Sequence, residues 1–199
     1  MKKIGIFGGT FSPPHKGHVR SAELFAAQRQ LDELHILPAG IPPHKESDGQ
    51  ATAEDRLAMC RLAFGHIPGV TVSDREIRRE GKSYTVLTLR EYAEMGIHPE
   101  MLVGTDMLLC LDRWYCFREI LSLATVVCMR RESDADTGHL LLEKAEALRA
   151  DYGAKIVFLD GDALELSSSA VRASLSDRHA LLPPSVVDYI EKRGLYGIL

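Results

Sequence analysis

The sequence predicts an α/β chain built on a doubly wound, mostly parallel sheet with helices on both faces. Three observations predict it. Apolar runs of strand length alternate with helix-length amphipathic stretches along all 199 residues. The first run, Lys3 to Gly8, passes through a glycine-rich turn directly into a helical pattern. A second apolar run follows within about 35 residues, the length of one βαβ unit.

Lys3 to Gly8 reads as a buried first strand. His18 to Leu31 reads as a helix, with Val19, Ala22 and Ala26 on one stripe and Leu24, Ala27 and Leu31 on another. Arg20, Glu23 and Arg29 are expected to face water. Leu34 to Leu37 is a second strand stopped by Pro38, and the crossover joining the two strands should be right-handed. Thr52 is placed to cap a helix running to Phe64, with Glu54 and Asp55 where the helix dipole favours acids. Val70 to Val72 is a third strand, and Val86, Leu89 and Ala93 mark another helix. Met101 to Val103 is a strand ending at Gly104. Residues 124–129 and 155–159 are two more, separated by a helix around 139–149. Two short helices close the pattern, one after Ser168 and one from Pro184 to Arg193. Pro38 to Gln50 is the one long loop, a feature that is usually functional or disordered. With no internal repeat, residues 1–199 are expected to form a single domain.

Composition narrows the function classes. A net charge of −4 argues against a broad nucleic-acid surface, so positive groups for an anionic ligand would have to be local. No segment approaches a membrane span and no secretory leader is recognisable, so a cytoplasmic protein is expected. Cys60, Cys110, Cys116 and Cys128 form no CxxC pair and read as reduced packing residues.

In a doubly wound sheet, ligands bind beyond the carboxyl ends of the strands. The first such end runs Gly8-Gly9-Thr10-Phe11-Ser12-Pro13-Pro14-His15-Lys16-Gly17-His18. It is neither a Walker A loop nor the GxGxxG dinucleotide fingerprint. Gly8 and Gly9 allow close backbone approach to a phosphate, and amides at the following helix start point into the same space. His15 and His18, three apart, share a helical face from which two imidazoles can donate to phosphate oxygens. On spacing alone a solvated turn remains open, as does a metal pair, although no third ligand lies nearby.

This run resembles the HxGH signature of the nucleotidyltransferase α/β-phosphodiesterase superfamily, in the extended form GGTFxPxHxGH. Leu166-Ser167-Ser168-Ser169-Ala170-Val171-Arg172 is similar to that superfamily's second signature. Ser167 and Ser168 can cap a helix whose amides bind phosphate, and Arg172 lies one turn on. A plain N-cap is the alternative. Ile41-Pro42-Pro43-His44-Lys45 resembles the PPHK loop of nicotinate-nucleotide adenylyltransferases, and Ser83 to Leu89 their SYTxxTL segment. Gly104-Thr105-Asp106 is similar to their GxD strand end, and Trp114 to their pyridine-stacking aromatic. The resemblance extends through Val187 to Ile190 and Gly194 to Tyr196. Ser12 stands where many relatives carry Asp, and Ser169 where Thr is usual.

The resemblance implies a Rossmann-like fold and one reaction: ATP and nicotinic acid mononucleotide, with Mg²⁺, give nicotinic acid adenine dinucleotide and pyrophosphate. It assigns catalysis to His15, His18 and Arg172, and ATP or phosphate binding to Gly8, Gly9, Thr10, Phe11, Lys45, Gly104, Asp106, Ser167 and Ser168. Thr85, Trp114 and Tyr115 fall to the mononucleotide, and no metal ligand is assigned to the protein. Each middle motif has a plainer reading: Trp114 as core or interface, Lys45 as a solvated lysine, Thr85 and Thr88 as a helix start, Asp106 as an N-cap. Nucleic acid and membrane are not expected as partners, and a homo-oligomer is compatible with the sequence. The rivals are a sister enzyme adenylating phosphopantetheine or transferring CMP, and a catalytically silent nucleotide sensor.

Overall fold

The computed structural model describes residues 2–43, 51–130, 135–161, 166–174 and 177–197. Strand β1 (Ile4–Gly9) leads into helix α1 (Lys16–Arg29) and strand β2 (Glu33–Pro38). Helix α2 (Ala53–Phe64), strand β3 (Val70–Val72), helix α3 (Arg75–Arg78) and helix α4 (Thr85–Glu94) follow. The second half holds strand β4 (Glu100–Gly104), helix α5 (Thr105–Leu109), helix α6 (Phe117–Leu123), strand β5 (Thr125–Met129), helix α7 (Ala135–Tyr152) and strand β6 (Ile156–Leu159). Helices α8 (Ser168–Ala173), α9 (Arg178–Leu181) and α10 (Pro184–Arg193) complete the described chain.

All six strands are parallel, in the order β3-β2-β1-β4-β5-β6. The order reverses between β1 and β4, so their carboxyl ends border the crevice where a doubly wound sheet takes its ligands. Strand period 2 divides the core. Leu34, Ile36, Leu102 and Val127 pack with Phe25, Phe64 and Val187 on one face, whereas Ile4, Ile6, Met101, Val103 and Val126 pack with Leu89, Ile120 and Leu148 on the other. Gly5 permits the close approach of α1 and the turn after it, because a Cβ there would lie 2.9 Å from the Phe25 ring and 2.4 Å from the Leu31 side chain.

The helix ends follow their chemistry. Thr52 and Asp55 form a capping box on α2, as the sequence predicts. Pro184 opens α10, and Gly194 closes it in the left-handed conformation at φ 61°. Helix α1 starts two residues earlier than expected, because His15 supplies a cap the pattern did not anticipate. Arg29 does not face water: it makes a bidentate ion pair with Glu100 at 2.6 and 2.9 Å, which ties α1 to the start of β4. Phe25, which neither predicted stripe included, is fully buried. Among the described residues no helix is long and apolar enough to cross a membrane. Cys60 and Cys128 are buried thiols, the latter pushed up to about 12 by desolvation, while Cys110 and Cys116 are only partly covered.

Candidate active site

The crevice is bounded by the loop leaving β1 and the start of α1 on one side, and by Gly104-Thr105-Asp106 at the end of β4 on the other. Gly8 faces open space, with no atom within 4 Å of where a Cβ would stand, and Gly104 does the same. Gly9 and Thr10 lie beside them, half-buried. Phe11 differs from its expectation as a ligand-facing residue. Its ring is buried against Phe7, Phe64 and His18 at centroid distances of 5.4, 5.7 and 5.0 Å, so it anchors the loop and can offer a ligand only its backbone.

The two histidines form a reciprocal capping box. His15 Nδ1 accepts from the His18 amide, and His18 Nδ1 accepts from the His15 amide, both at 3.2 Å. The rings stack at 3.6 Å between centroids, tilted by 23°. A nitrogen that accepts an amide proton carries none in the neutral ring, so each imidazole holds its proton on Nε2. The sequence's i, i+3 spacing thus yields two parallel rings, each with an Nε2–H donor.

The second motif reaches the same loop, though not as the sequence suggests. Ser167 caps α8 by accepting from the Ala170 amide at 3.1 Å. Ser168 Oγ donates to the Pro13 carbonyl at 3.0 Å, and Arg172 donates to the Ser12 carbonyl at 2.5 Å and to Ser169 Oγ at 3.3 Å. Both side chains therefore clasp the loop that precedes the histidines. Ser12 Oγ pairs with Tyr196 Oη at 3.1 Å, and Lys16 Nζ donates to the carbonyls of His179 and Ala180. Lys45, with the preceding His44, lies outside the described residues.

A residue that the sequence reading missed joins the two loops. Arg56, buried on α2, donates to the carbonyls of Thr10 at 2.9 Å, Ala39 at 2.5 Å and Gly40 at 2.9 Å. No motif signals it, since an arginine that follows two helical acids looks like any solvated one. The 39–41 loop is also held from α4: the Gly40 amide donates to Ser83 Oγ at 2.9 Å and the Ser83 amide to the Ile41 carbonyl at 2.8 Å.

Thr85 is the first residue of α4, which starts without a side-chain cap, leaving first-turn amides for another acceptor. The Tyr84 ring meets Tyr115 at 4.8 Å, bringing the Ser83–Thr85 segment to the Trp114–Tyr115 segment. Trp114 is half-buried against one core face and Tyr115 is exposed. Asp106 lies in the first turn of α5, and Gly104 rather than Asp106 is the N-cap residue. Among the described residues, no group of three His, Cys, Asp or Glu is arranged to hold a metal ion.

The profile of the Cytidylyltransferase-like family matches residues 6–174. A protein of Oceanobacillus iheyensis named "Probable nicotinate-nucleotide adenylyltransferase" is 35% identical, covering 99% of this chain and 98% of its own. A protein of the same name from Acidithiobacillus ferrooxidans is 38% identical, covering 96% and 94%. Among solved structures, nicotinic acid mononucleotide adenylyltransferase of Plasmodium falciparum, complexed with NaAD, superposes with a TM-score of 0.78 at 17% identity, covering 100% of this chain and 99% of that one. At that identity the match establishes the fold.

Proposed function

This chain belongs to the Cytidylyltransferase-like family and, within it, to the nicotinate-nucleotide adenylyltransferases, and from that premise we propose how its own residues carry the reaction. The chain transfers the adenylyl group of ATP to nicotinic acid mononucleotide, giving nicotinic acid adenine dinucleotide and pyrophosphate, a step of NAD biosynthesis. A 5′-phosphate oxygen of the mononucleotide bonds to the α-phosphorus. The bridging oxygen leaves with the electron pair as pyrophosphate. A phosphate is already nucleophilic near neutral pH, so catalysis rests on positioning and charge stabilisation rather than a general base.

The observation that carries this reading is the stacked histidine pair at the crossover crevice. Two Nε2–H donors held by a capping box meet developing phosphate charge without reorganising. We assign them to the α- and β-phosphates, and the Gly9 and Thr10 amides, with the amide at the start of α8, add fixed donors. Arg172 and Ser168 hold the loop through Ser12 and Pro13, and Arg172 adds positive charge for the triphosphate. The site's side-chain donors suit phosphate oxygens. Mg²⁺ would therefore be held by the triphosphate and water rather than by side chains of the protein, and would supply neutralisation of the leaving charge. Gly104 and Asp106 face the adenosine, and Trp114 and Tyr115 the pyridine ring. The uncapped first turn of α4 at Thr85 receives the ring carboxylate. The enzyme works in the cytoplasm on these two nucleotides.

The test is Mg²⁺-dependent pyrophosphate release from ATP, with nicotinic acid and nicotinamide mononucleotides side by side. Rapid release with the acid and little with the amide is expected. Equal release with both would remove the carboxylate assignment at Thr85, and none with either would overturn the reading.

A further inference from the structure

Between α3 and α4 lies a buried carboxylate that the reaction as described does not use. Glu76 on α3 is 7% exposed. Its Oε1 accepts from Thr88 Oγ1 at 2.7 Å, and the nearby Ser83 side chain favours the charged form of the same carboxylate. Ser83 and Thr88 bracket Thr85, the residue assigned above to the mononucleotide. The Glu76 backbone also abuts the loop leaving β2, since a Cβ on Gly40 would lie 2.5 Å from the Glu76 carbonyl oxygen. Gly40 in turn donates to Ser83 Oγ. Glu76 therefore underpins both the start of α4 and the loop beside it.

We propose that Glu76 is a positioning residue for the mononucleotide: by accepting from Thr88 it fixes the orientation of the first turn of α4, and hence of Thr85. The inference deepens the acceptor assignment made above and rests on it. A plain packing role is a poor explanation for this side chain. Burial disfavours its charge and pushes the carboxyl up to about 7, with Glu91 acting in the same direction, while Thr88, Arg79 and Ser83 oppose the rise. Among the described residues no arginine pairs with it directly. The Arg79 guanidinium bonds to Glu91 and, at 3.1 Å, to Thr88 Oγ1, and Arg75 pairs with Glu91 at 3.2 Å. A glutamine of the same shape would fill the space at lower cost. A carboxylate differs in that it only accepts, which makes Thr88 Oγ1 the donor and fixes the direction in which it points.

The experiment compares Glu76→Gln, Thr88→Val and Thr88→Ser with the wild type in steady-state kinetics for both substrates. Hydrogen exchange is followed over residues 80–88 and over α10 as an internal reference. Glu76→Gln is expected to raise the KM for nicotinic acid mononucleotide about tenfold, the scale of one charge-assisted hydrogen bond, and to leave the KM for ATP within about twofold. Thr88→Val should follow it and Thr88→Ser should restore the wild-type value. Exchange at 83–86 should quicken without change in α10. Should Glu76→Gln fail to fold, the two Thr88 variants decide alone. Equal changes in both KM values, or an unaltered mononucleotide KM, overturn the proposal. If wild-type protein consumes no mononucleotide, the acceptor reading has failed instead. Exchange then decides, with unaltered protection at 83–86 refuting the role of Glu76.

Discussion

Removing the Arg56 guanidinium should loosen the loops that follow β1 and β2 together. Arg56→Met keeps most of the side-chain volume but strips donors from three loop carbonyls, those of Thr10, Ala39 and Gly40. Disrupting a buried charged network of this kind costs about 3–5 kcal/mol. A chain of this size loses roughly 2–4 °C in Tm per kcal/mol, so a fall of about 6–20 °C is expected by calorimetry. Because the residue joins the β1 loop to the β2 loop, KM should rise for ATP and mononucleotide alike. That pattern differs from the one-sided change expected at Glu76. Arg56→Lys retains the charge without the planar fork and should recover only part of the loss. The reasoning fails if Arg56→Met melts within about 2 °C of wild type, or if lysine restores it fully.

Three further outcomes follow from the geometry. His18→Ala should lower kcat by about 10²–10³, the scale of one transition-state donor, and a variant retaining more than half of the wild-type kcat in a pyrophosphate-release assay would end that assignment. Trp114→Ala should raise the KM for mononucleotide more than that for ATP, whereas equal effects in the same assay would remove the stacking role. Glu76 is raised from 4.5 to about 7, so the stability its proton supplies is present below about 4.5 and lost as pH rises through about 7. Glu76→Gln should therefore gain on wild type by about 3 kcal/mol between pH 4.5 and pH 8, an upward drift in relative Tm of about 6–12 °C. A constant Tm difference across that range would show that Glu76 does not titrate there.

Periodicity and punctuation made the frame legible. Thr52, Pro38 and Gly104 each mark an element end through local chemistry, and β3 runs over the predicted residues. The short helices α3, α5, α6 and α9 were not legible, since four to seven residues hold too few turns for a period to emerge. At the site, the histidine pair was readable from its i, i+3 spacing, although His15 is the extended N-cap of α1 and the capping box is what sets the two rings side by side. The partners of Ser168 and Arg172 were not. Both residues point at backbone carbonyls more than 150 positions away, and a carbonyl looks the same in every residue. Arg56 and Glu76 escaped for a related reason: their roles come from burial, which only tertiary contacts decide.

The clasp on the phosphate loop also has a temporal side. Arg172 grips Ser12 across 160 positions of chain, Ser168 grips Pro13 across 155, and Tyr196 meets Ser12 across 184. At about 5–20 residues per second of synthesis, some 8–37 s separate the loop's emergence from that of its fasteners. The histidines are therefore made early and secured late. A nascent chain that has not yet reached Ser168 can form its central strands and still lack a finished loop, so competence arrives with the second motif rather than by degrees.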